Sequence, residues 1–202
     1  MKFETWPSRL LVVDVEGNGA NPPDLVEIAA IPIENGHPVP DASRSALIRP
    51  PVAISYMATR VHGITNKQVQ NAPAWPEVAD EVRADLDGAW IAAHNASVEY
   101  NVLSRHLPDW KPAGVIDTLR LSRATFKGLR GHGLDNLIEH TGLDLTTVEG
   151  QRHRAAYDAH ATALLLLNLA SHYATWEALA EAAIPPGMPG HTPDPIREET
   201  LW

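Results

Sequence analysis

The stretch LLVVDVEGNGA, residues 10–20, places two acidic side chains directly after four apolar residues. A run that is apolar at every position, as in Leu10–Val13, is typical of a strand covered on both faces inside an α/β sheet. Because side chains alternate along a strand, Asp14 and Glu16 point to the same face, with Cα atoms about 6–7 Å apart. Two such carboxylates repel each other unless a cation, most simply a divalent metal, lies between them. A solvent-exposed turn at GNG is the alternative for these residues alone.

Length and composition favour a single soluble domain. The chain has 202 residues, a net charge of −9 and no cysteine. The absence of cysteine excludes a disulfide framework and a thiolate metal site, so any metal must be held by Asp, Glu or His. The first ten residues, MKFETWPSRL, are too polar for a signal peptide, and the longest apolar run, ALLLLNLA, is too short to span a bilayer. We therefore expect a cytoplasmic protein without membrane contact.

The acidic balance argues against a protein that coats long nucleic acid, since such domains are usually basic. It leaves open an enzyme that grips only a strand end. Basic residues do gather in RATFKGLRGH, from Arg123 to His132. This glycine-broken stretch is either a loop that contacts phosphates or a solvated surface connection.

The order of the predicted elements indicates the architecture. The segments LLVV, DLVEIAAIPIENG and SRSALIRP predict an early antiparallel meander, and later segments alternate strand and helix. Three early strands followed by βα units imply a mixed sheet with helices on its faces. We assign residues 1–183 to one domain and residues 184–202 to a proline-rich tail, extended or partly disordered, that could still dock through Leu201 and Trp202.

A second acidic position follows another buried strand, in AAHNASVEYNVL, residues 92–103. Here Glu99 falls in the first turn of a predicted helix. Open α/β sheets bind ligands outside the carboxyl ends of their strands, so Glu99 could converge with Asp14 and Glu16. Alternatively, Glu99 complements the helix dipole while His94 and Asn95 cap the turn.

A third polar pair lies in RHRAAYDAHATALLLL, residues 152–167. On one continuous helix His153 and Asp158 would be about 140° apart and would not share a face. We therefore expect His153 on a mobile loop before the helix and Asp158 directed inward from its first turns. An Asp on the core side of a helix is costly unless it is paired or bound to metal.

The three blocks VVDVEG, HNASVEYNVL and HRAAYD, in this order and spacing, resemble the DEDDh family of 3′–5′ exonucleases, particularly bacterial members of the exonuclease X type and the proofreading subunits of DNA polymerase III. The segments VHGIT and GHGLDNLIEHTGL also match that family's connections, and the resemblance covers about residues 9–175. It implies an α/β, RNase H-like fold with a mixed five-stranded sheet flanked by helices. It also implies release of nucleoside monophosphates from a DNA 3′ end with two Mg²⁺ or Mn²⁺ ions.

The resemblance also assigns roles to residues. The implied catalytic set is Asp14, Glu16, Glu99, His153 and Asp158. Within it Asp14, Glu16 and Asp158 hold the metals, Asp14 bridges them, and His153 is the general base. Histidine suits that role because it changes charge near neutral pH.

Four further positions are candidates for binding the terminal nucleotide: Gly17, His62, Asn95 and Val98. Gly17 stands where the family usually has Thr, and Val98-Glu99 where it usually has Phe-Asp. The smaller Gly17 and Val98 predict an altered fit of the terminal nucleotide. A loop histidine such as His62 could instead cap its own backbone.

Three functions remain open from the sequence. DNA is the more favoured partner, cut from its 3′ end. The same metal chemistry would serve an exonuclease acting on RNA or short oligonucleotides, because recognition of the 2′-OH is local. A catalytically weakened subunit that binds strand ends or a protein partner is the alternative of another class. The oligomeric state, monomer or homodimer, is left open.

Overall fold

The computed structural model of the protein describes residues 5–191. In that range the chain folds into one six-stranded mixed sheet. The strands are β1 (Leu10–Gly17), β2 (Leu25–Glu34), β3 (His37–Pro38), β4 (Arg44–Leu47), β5 (Trp90–Ala93) and β6 (Gly114–Asp117).

The central strand of the sheet is β1, which pairs antiparallel with β2 and parallel with β5, while β5 pairs parallel with β6. Both β3 and β4 pair with β2, on the edge away from β1. A 3-10 turn at Pro40–Ala42 separates them. The sheet has a sixth strand, where five were expected, because this turn divides one edge strand into two short pieces. The mixed sheet with flanking helices is confirmed.

Helices cover both faces of the sheet. They are α1 (Tyr56–His62), α2 (Asn66–Val69), α3 (Trp75–Leu86), α4 (Ser97–His106), α5 (Thr118–Thr125), α6 (Leu134–Thr141), α7 (Ala155–Ala170) and α8 (Trp176–Ala183). Several begin at side-chain caps that the sequence displays, such as Ser55 for α1 and Thr175 for α8. No helix in the described range is both long and apolar enough to cross a membrane.

The alternation of side chains along β1 decides which helices cover which face. Leu10 and Val12 belong to the core cluster that contains the leucines of α7. Val13 belongs instead to the cluster built with α3 and α4. Since Asp14 and Glu16 continue the row of Leu10 and Val12, they point toward α7 at the carboxyl end of the strand.

The first residues of the proposed tail pack on the domain. Ile184 is buried in the core beside α8, and the Val115 N–H of β6 donates to the Pro189 carbonyl at 3.0 Å. Residues 192–202, including Leu201 and Trp202, lie outside the described residues. The division of the chain at residue 183 stays a prediction.

Candidate metal centre and active site

Three carboxylates meet at the carboxyl end of β1. Asp14 and Glu16 come from that strand, and Asp158 comes from the first turn of α7. Each offers a carboxylate oxygen, and these oxygens all lie within 4.8 Å of one another. Oxygen-only ligands at this separation suit a hard divalent cation. The fold thus brings together the residues that the sequence marked as metal ligands.

Burial and the neighbouring negative charges make this group of carboxylates costly to ionise. Burial, followed by the charges of Glu99, Glu16 and Asp158, raises the pKa of Asp14 well above its ordinary value. Burial and then the Asp158 charge raise the pKa of Glu16 to about 8. For Asp158 burial again raises the pKa, partly opposed by the backbone N–H of His153. A divalent cation would allow all of these carboxylates to ionise together.

Glu99 is near enough to the same group that its charge, after burial, is the largest influence raising the pKa of Asp14. It lies in the first turn of α4, after β5, and only 6% of its surface is exposed. Its Oε2 is buried and has no hydrogen-bond partner among the described residues. Burial raises its pKa to about 8, and the charges of Asp117 and Glu16 add to the rise. A buried carboxylate oxygen without a partner is a position for a cation or its hydration shell, so the residues present fit a metal.

His153 occupies the predicted position before α7. The helix begins at Ala155 with Arg154 as its N-cap, and His153 is exposed on the preceding loop. Its backbone adopts a φ of 58°, and its N–H donates to Asp158 Oδ2 at 2.9 Å. The imidazole therefore stands at the rim of the acidic group, tied to it through the backbone. The predicted mobility of this loop stays a prediction.

A buried ion pair beside the site escaped the sequence analysis. Glu27 of β2 lies opposite Glu16 in the strand register and is only 3% exposed. Arg154 donates to it through Nε at 3.0 Å and Nη2 at 2.5 Å, and the Ala155 N–H donates to Oε2 at 2.9 Å. Glu27 thus caps α7 from a strand far away in sequence. The available signal was an acidic residue inside the apolar run LVEIAAIPI, which is costly unless it is paired.

His62 contacts backbone groups through both of its ring nitrogens. It is 2% exposed, its Nε2 lies 3.2 Å from the Gly17 carbonyl, and its Nδ1 accepts from the Ile64 N–H at 3.0 Å. Because Nδ1 accepts, Nε2 carries the proton that is donated to Gly17. Both ring nitrogens are occupied by backbone groups, so His62 helps to fix the turn after β1. Its role beside a terminal nucleotide stays a prediction.

The remaining candidates for nucleotide binding border the acidic group. The side chain of Asn95 is exposed at the end of β5, and that of Val98 is 48% exposed at the start of α4. Gly17 is closely approached, since a Cβ there would lie 3.0 Å from the Pro23 Cβ. Asn95 and Val98 are accessible to a ligand, whereas Gly17 shapes the backbone around it.

Comparison with curated proteins identifies relatives among bacterial exonucleases. The chain is 35% identical over 171 residues to 3′-5′ exonuclease DinG of Bacillus subtilis (strain 168), and 36% identical over 165 residues to a DNA polymerase III subunit epsilon-like protein of Rhodobacter capsulatus. The matches cover 80% and 79% of this chain but 17% and 23% of those proteins. The chain thus spans less than a quarter of the length of these relatives.

Solved structures give a matching fold and a family. Exonuclease X in complex with 5′ overhanging duplex DNA superposes with a TM-score of 0.72 at 30% identity, covering 86% of this chain and 98% of that one. The nuclease domain of 3′hExo, a DEDDh family member bound to rAMP, has a TM-score of 0.69 at 18% identity over 90% and 98%. This second likeness shows the fold alone, and the predicted RNase H-like fold is confirmed. The family model described as Exonuclease (RNase_T) matches residues 11–166, and this chain therefore belongs to the RNase_T exonuclease family.

Proposed function

We propose that the chain is a metal-dependent 3′–5′ exonuclease that removes nucleoside monophosphates from the 3′ ends of DNA. The observation that carries the proposal is the meeting of Asp14, Glu16 and Asp158, whose carboxylate oxygens lie within 4.8 Å of one another. Glu99, with its unpartnered buried oxygen, and the exposed His153 flank this group. These five residues are the catalytic set of the proposal.

In this proposal Asp14, Glu16 and Asp158 would hold two Mg²⁺ or Mn²⁺ ions through their carboxylate oxygens. When bound, the ions supply positive charge that activates water and stabilises the developing charge on the phosphate and the leaving oxygen. Glu99 would not bind a metal ion directly. It would accept hydrogen bonds from water molecules of the metals' hydration shell. Burial, and then the charges of the neighbouring acids, raise the pKa of Asp14, so a bound cation would favour its ionised form.

His153 takes the proton in the hydrolytic step. Its imidazole accepts a proton from water, the water oxygen forms a bond to phosphorus, and the bond from phosphorus to the 3′ oxygen of the preceding nucleotide breaks. That 3′ oxygen leaves with its electron pair and gains a proton, and a nucleoside 5′-monophosphate is released. The loop position of His153 suits a base that meets its substrate only when a strand end is bound.

The likeness to Exonuclease X supports DNA as the substrate. That structure contains 5′ overhanging duplex DNA. Its match with this chain covers 98% of the Exonuclease X chain at 30% identity. The exposed Val98 beside Glu99 leaves room for a terminal nucleotide at the same end of the sheet. An exonuclease acting on RNA or short oligonucleotides is the competing hypothesis.

The test uses 5′-labelled single-stranded DNA, duplex DNA with a 5′ overhang, and RNA of the same sequence, each with Mg²⁺, Mn²⁺ or EDTA. We expect ladders that shorten from the 3′ end on DNA, release of mononucleotides, and complete loss of activity in EDTA. Asp14→Asn serves as the matched inactive variant. Cleavage that persists in EDTA or in this variant would contradict the metal mechanism, and faster cleavage of RNA would reassign the substrate. Strand-end binding without turnover under all conditions would favour a binding subunit.

A further inference from the structure

Four basic side chains form an exposed strip at and beyond α5. We call Arg120, Arg123, Lys127 and Arg130 the α5 basic strip, and all four are exposed. Within residues 5–191 none of these four side chains makes a hydrogen bond or an ion pair. This is notable in a chain with a net charge of −9. Acidic groups are abundant, yet within residues 5–191 none forms an ion pair with the strip.

Most other arginines in the described range have a bonding partner. Arg44, Arg152 and Arg154 form ion pairs with carboxylates. Arg9, Arg49, Arg83 and Arg105 donate to backbone carbonyls. The strip therefore differs from the remaining basic surface, since its guanidinium groups keep their donors free for an external acceptor.

The strip opens onto a cleft. A cavity of about 560 Å³ is lined by Arg120 and Arg123, by Asn95 after β5 and by Asp117 at the end of β6. Ala182 and Pro185 close its outer wall. Its location is the carboxyl edge of the parallel strands, the edge where Asp14 and Glu16 also lie.

Asn95 links the cleft to the helix that carries Glu99. The Asn95 N–H donates to Asp117 Oδ1 at 3.2 Å, and Glu99 follows Asn95 in the first turn of α4. The negative charge of Asp117 does not prevent an anion from binding in the cleft, because its carboxylate is buried and hydrogen-bonded. Its Oδ1 also accepts the Leu119 and Arg120 N–H groups at the start of α5, and the residue is only 6% exposed. The accessible charge in the cleft is that of the two arginines.

Resting on the proposed function, we propose that the cleft and the α5 basic strip bind the phosphates of the polynucleotide backbone beyond the nucleotide being removed. Arg120 and Arg123 are three residues apart on α5 and both line the cleft, so they share a helix face from which they can engage neighbouring phosphates. Such contacts do not read sequence and contribute mainly to affinity and register. They explain how a chain of net charge −9 holds a polyanion.

The experiment measures equilibrium binding without catalysis. Fluorescence anisotropy in EDTA follows a labelled single-stranded oligonucleotide and a 5′-overhanging duplex across a series of salt concentrations. For single strands each phosphate contact contributes about 0.7 to the slope of log K against log salt. Arg120→Gln/Arg123→Gln should therefore lower the slope by about 1.4 and weaken binding about tenfold at moderate salt. Arg120→Lys/Arg123→Lys keeps the charges and should recover most of the slope.

The matched control removes the same charge elsewhere. Arg83→Gln/Lys111→Gln alters two basic residues near the amino end of β5, the opposite edge of the sheet. We expect it to bind like the wild type. Equal slopes for the wild type and the Arg120→Gln/Arg123→Gln variant, or an equal loss in the control, would overturn the proposal. If the double variant fails to fold, the single Arg120→Gln and Arg123→Gln variants should each lose about half of the effect.

Two further readouts separate this inference from the proposed function. In steady-state assays with Mg²⁺, the Arg120→Gln/Arg123→Gln variant should raise KM for DNA much more than it lowers kcat. Its loss on DNA should exceed by about tenfold its loss on the small diester thymidine 5′-(p-nitrophenyl phosphate). Losses of equal size on both substrates would contradict the proposal that the strip binds backbone phosphates.

A wild type that hydrolyses neither substrate counts against the exonuclease proposal, while the binding data still test the phosphate-binding role of the strip. A loss on single strands places the bound phosphates on the cleaved strand, and a loss on duplex alone places them on its complement; both support the proposal.

Discussion

Replacing Glu99 with Gln should stabilise the metal-free protein at pH 7 while it lowers activity. The carboxylate is 6% exposed, and its Oε2 has no partner among the described residues. Burial raises its pKa from 4.5 to about 8. A neutral amide of nearly the same shape removes the cost of ionising this position and also removes the charge that the metal site needs. Stability and function should therefore move in opposite directions.

The size of the effect follows from the two pKa values of Glu99. Between about pH 4.5 and pH 8 the folded state keeps a proton that the unfolded state has released. The free energy of unfolding therefore falls as pH rises through this window, by about 1.4 kcal/mol per pH unit. At pH 7 the loss is about 3 kcal/mol. In a domain of this size that corresponds to roughly 6–12 °C in Tm.

The assay is thermal unfolding in EDTA, followed by circular dichroism at a series of pH values from 4.5 to 8. Glu99→Gln should match the wild type at the acid end and exceed it increasingly toward neutral pH. Glu139→Gln, the same change at an exposed position of α6, is the control and should show no such divergence. With Mg²⁺ added, the wild type should gain more stability than the variant, because the cation favours the ionised carboxylate.

Activity completes the test of Glu99. Glu99→Asp should retain activity, and Glu99→Gln should lose about 10- to 100-fold, as changes around a metal's direct ligands typically do. A Glu99→Gln variant that is less stable than the wild type at pH 7, or more stable by the same amount at every pH, would refute the argument from burial. Full activity in this variant would leave Glu99 as a charge at a helix end only.

Three other variants have expected outcomes. Asp158→Asn should lose far more activity than Glu99→Gln, because it removes a charged oxygen ligand. It should also weaken Mn²⁺ binding measured by calorimetry. Equal losses of activity in the two variants would place Glu99 among the direct ligands. His153→Gln should lower kcat about 10²- to 10⁴-fold with unchanged Mn²⁺ affinity, as expected for a general base, and an unchanged kcat would remove His153 from that role. Arg154→Ala should lower the free energy of unfolding by about 2 kcal/mol in denaturant titrations, because it leaves Glu27 buried without its ion pair; an unchanged midpoint would contradict that reading.

The acidic group was predictable because its signals are local. The alternation along LLVVDVEG predicted a shared face for Asp14 and Glu16, and their carboxylate oxygens do lie within 4.8 Å of each other. The five-residue separation of His153 and Asp158 excluded a shared helical face, and α7 indeed begins between them. Each inference needed only the period of one element and the rule that ligands gather at the carboxyl ends of strands.

The hydrogen-bond partners of His62 could not be predicted from the local sequence. The sequence VHGIT left open whether this histidine lines the pocket for the terminal nucleotide or caps its own backbone. The orientation of its ring depends on the Gly17 carbonyl, 45 residues earlier, and on the Ile64 N–H. A histidine that bonds with two backbone groups and one that awaits a nucleotide have the same local sequence, so only the tertiary structure separates them.

The pair of Glu27 and Arg154 shows how the site depends on contacts that no motif encodes. The metal ligands come from β1 and α7, so their separation depends on how firmly the start of α7 is fixed to the sheet. Glu27 provides that connection, because it lies opposite Glu16 on the neighbouring strand and accepts hydrogen bonds from Arg154 and from the first N–H of the helix. The sequence could reveal that a buried Glu needs a partner, but the partner, 127 residues away, is set by strand register and helix packing. The same contact holds His153, next to Arg154, at the rim of the acidic group. The geometry of the direct ligands is therefore a property of the whole fold, although their identity can be read from short stretches of sequence.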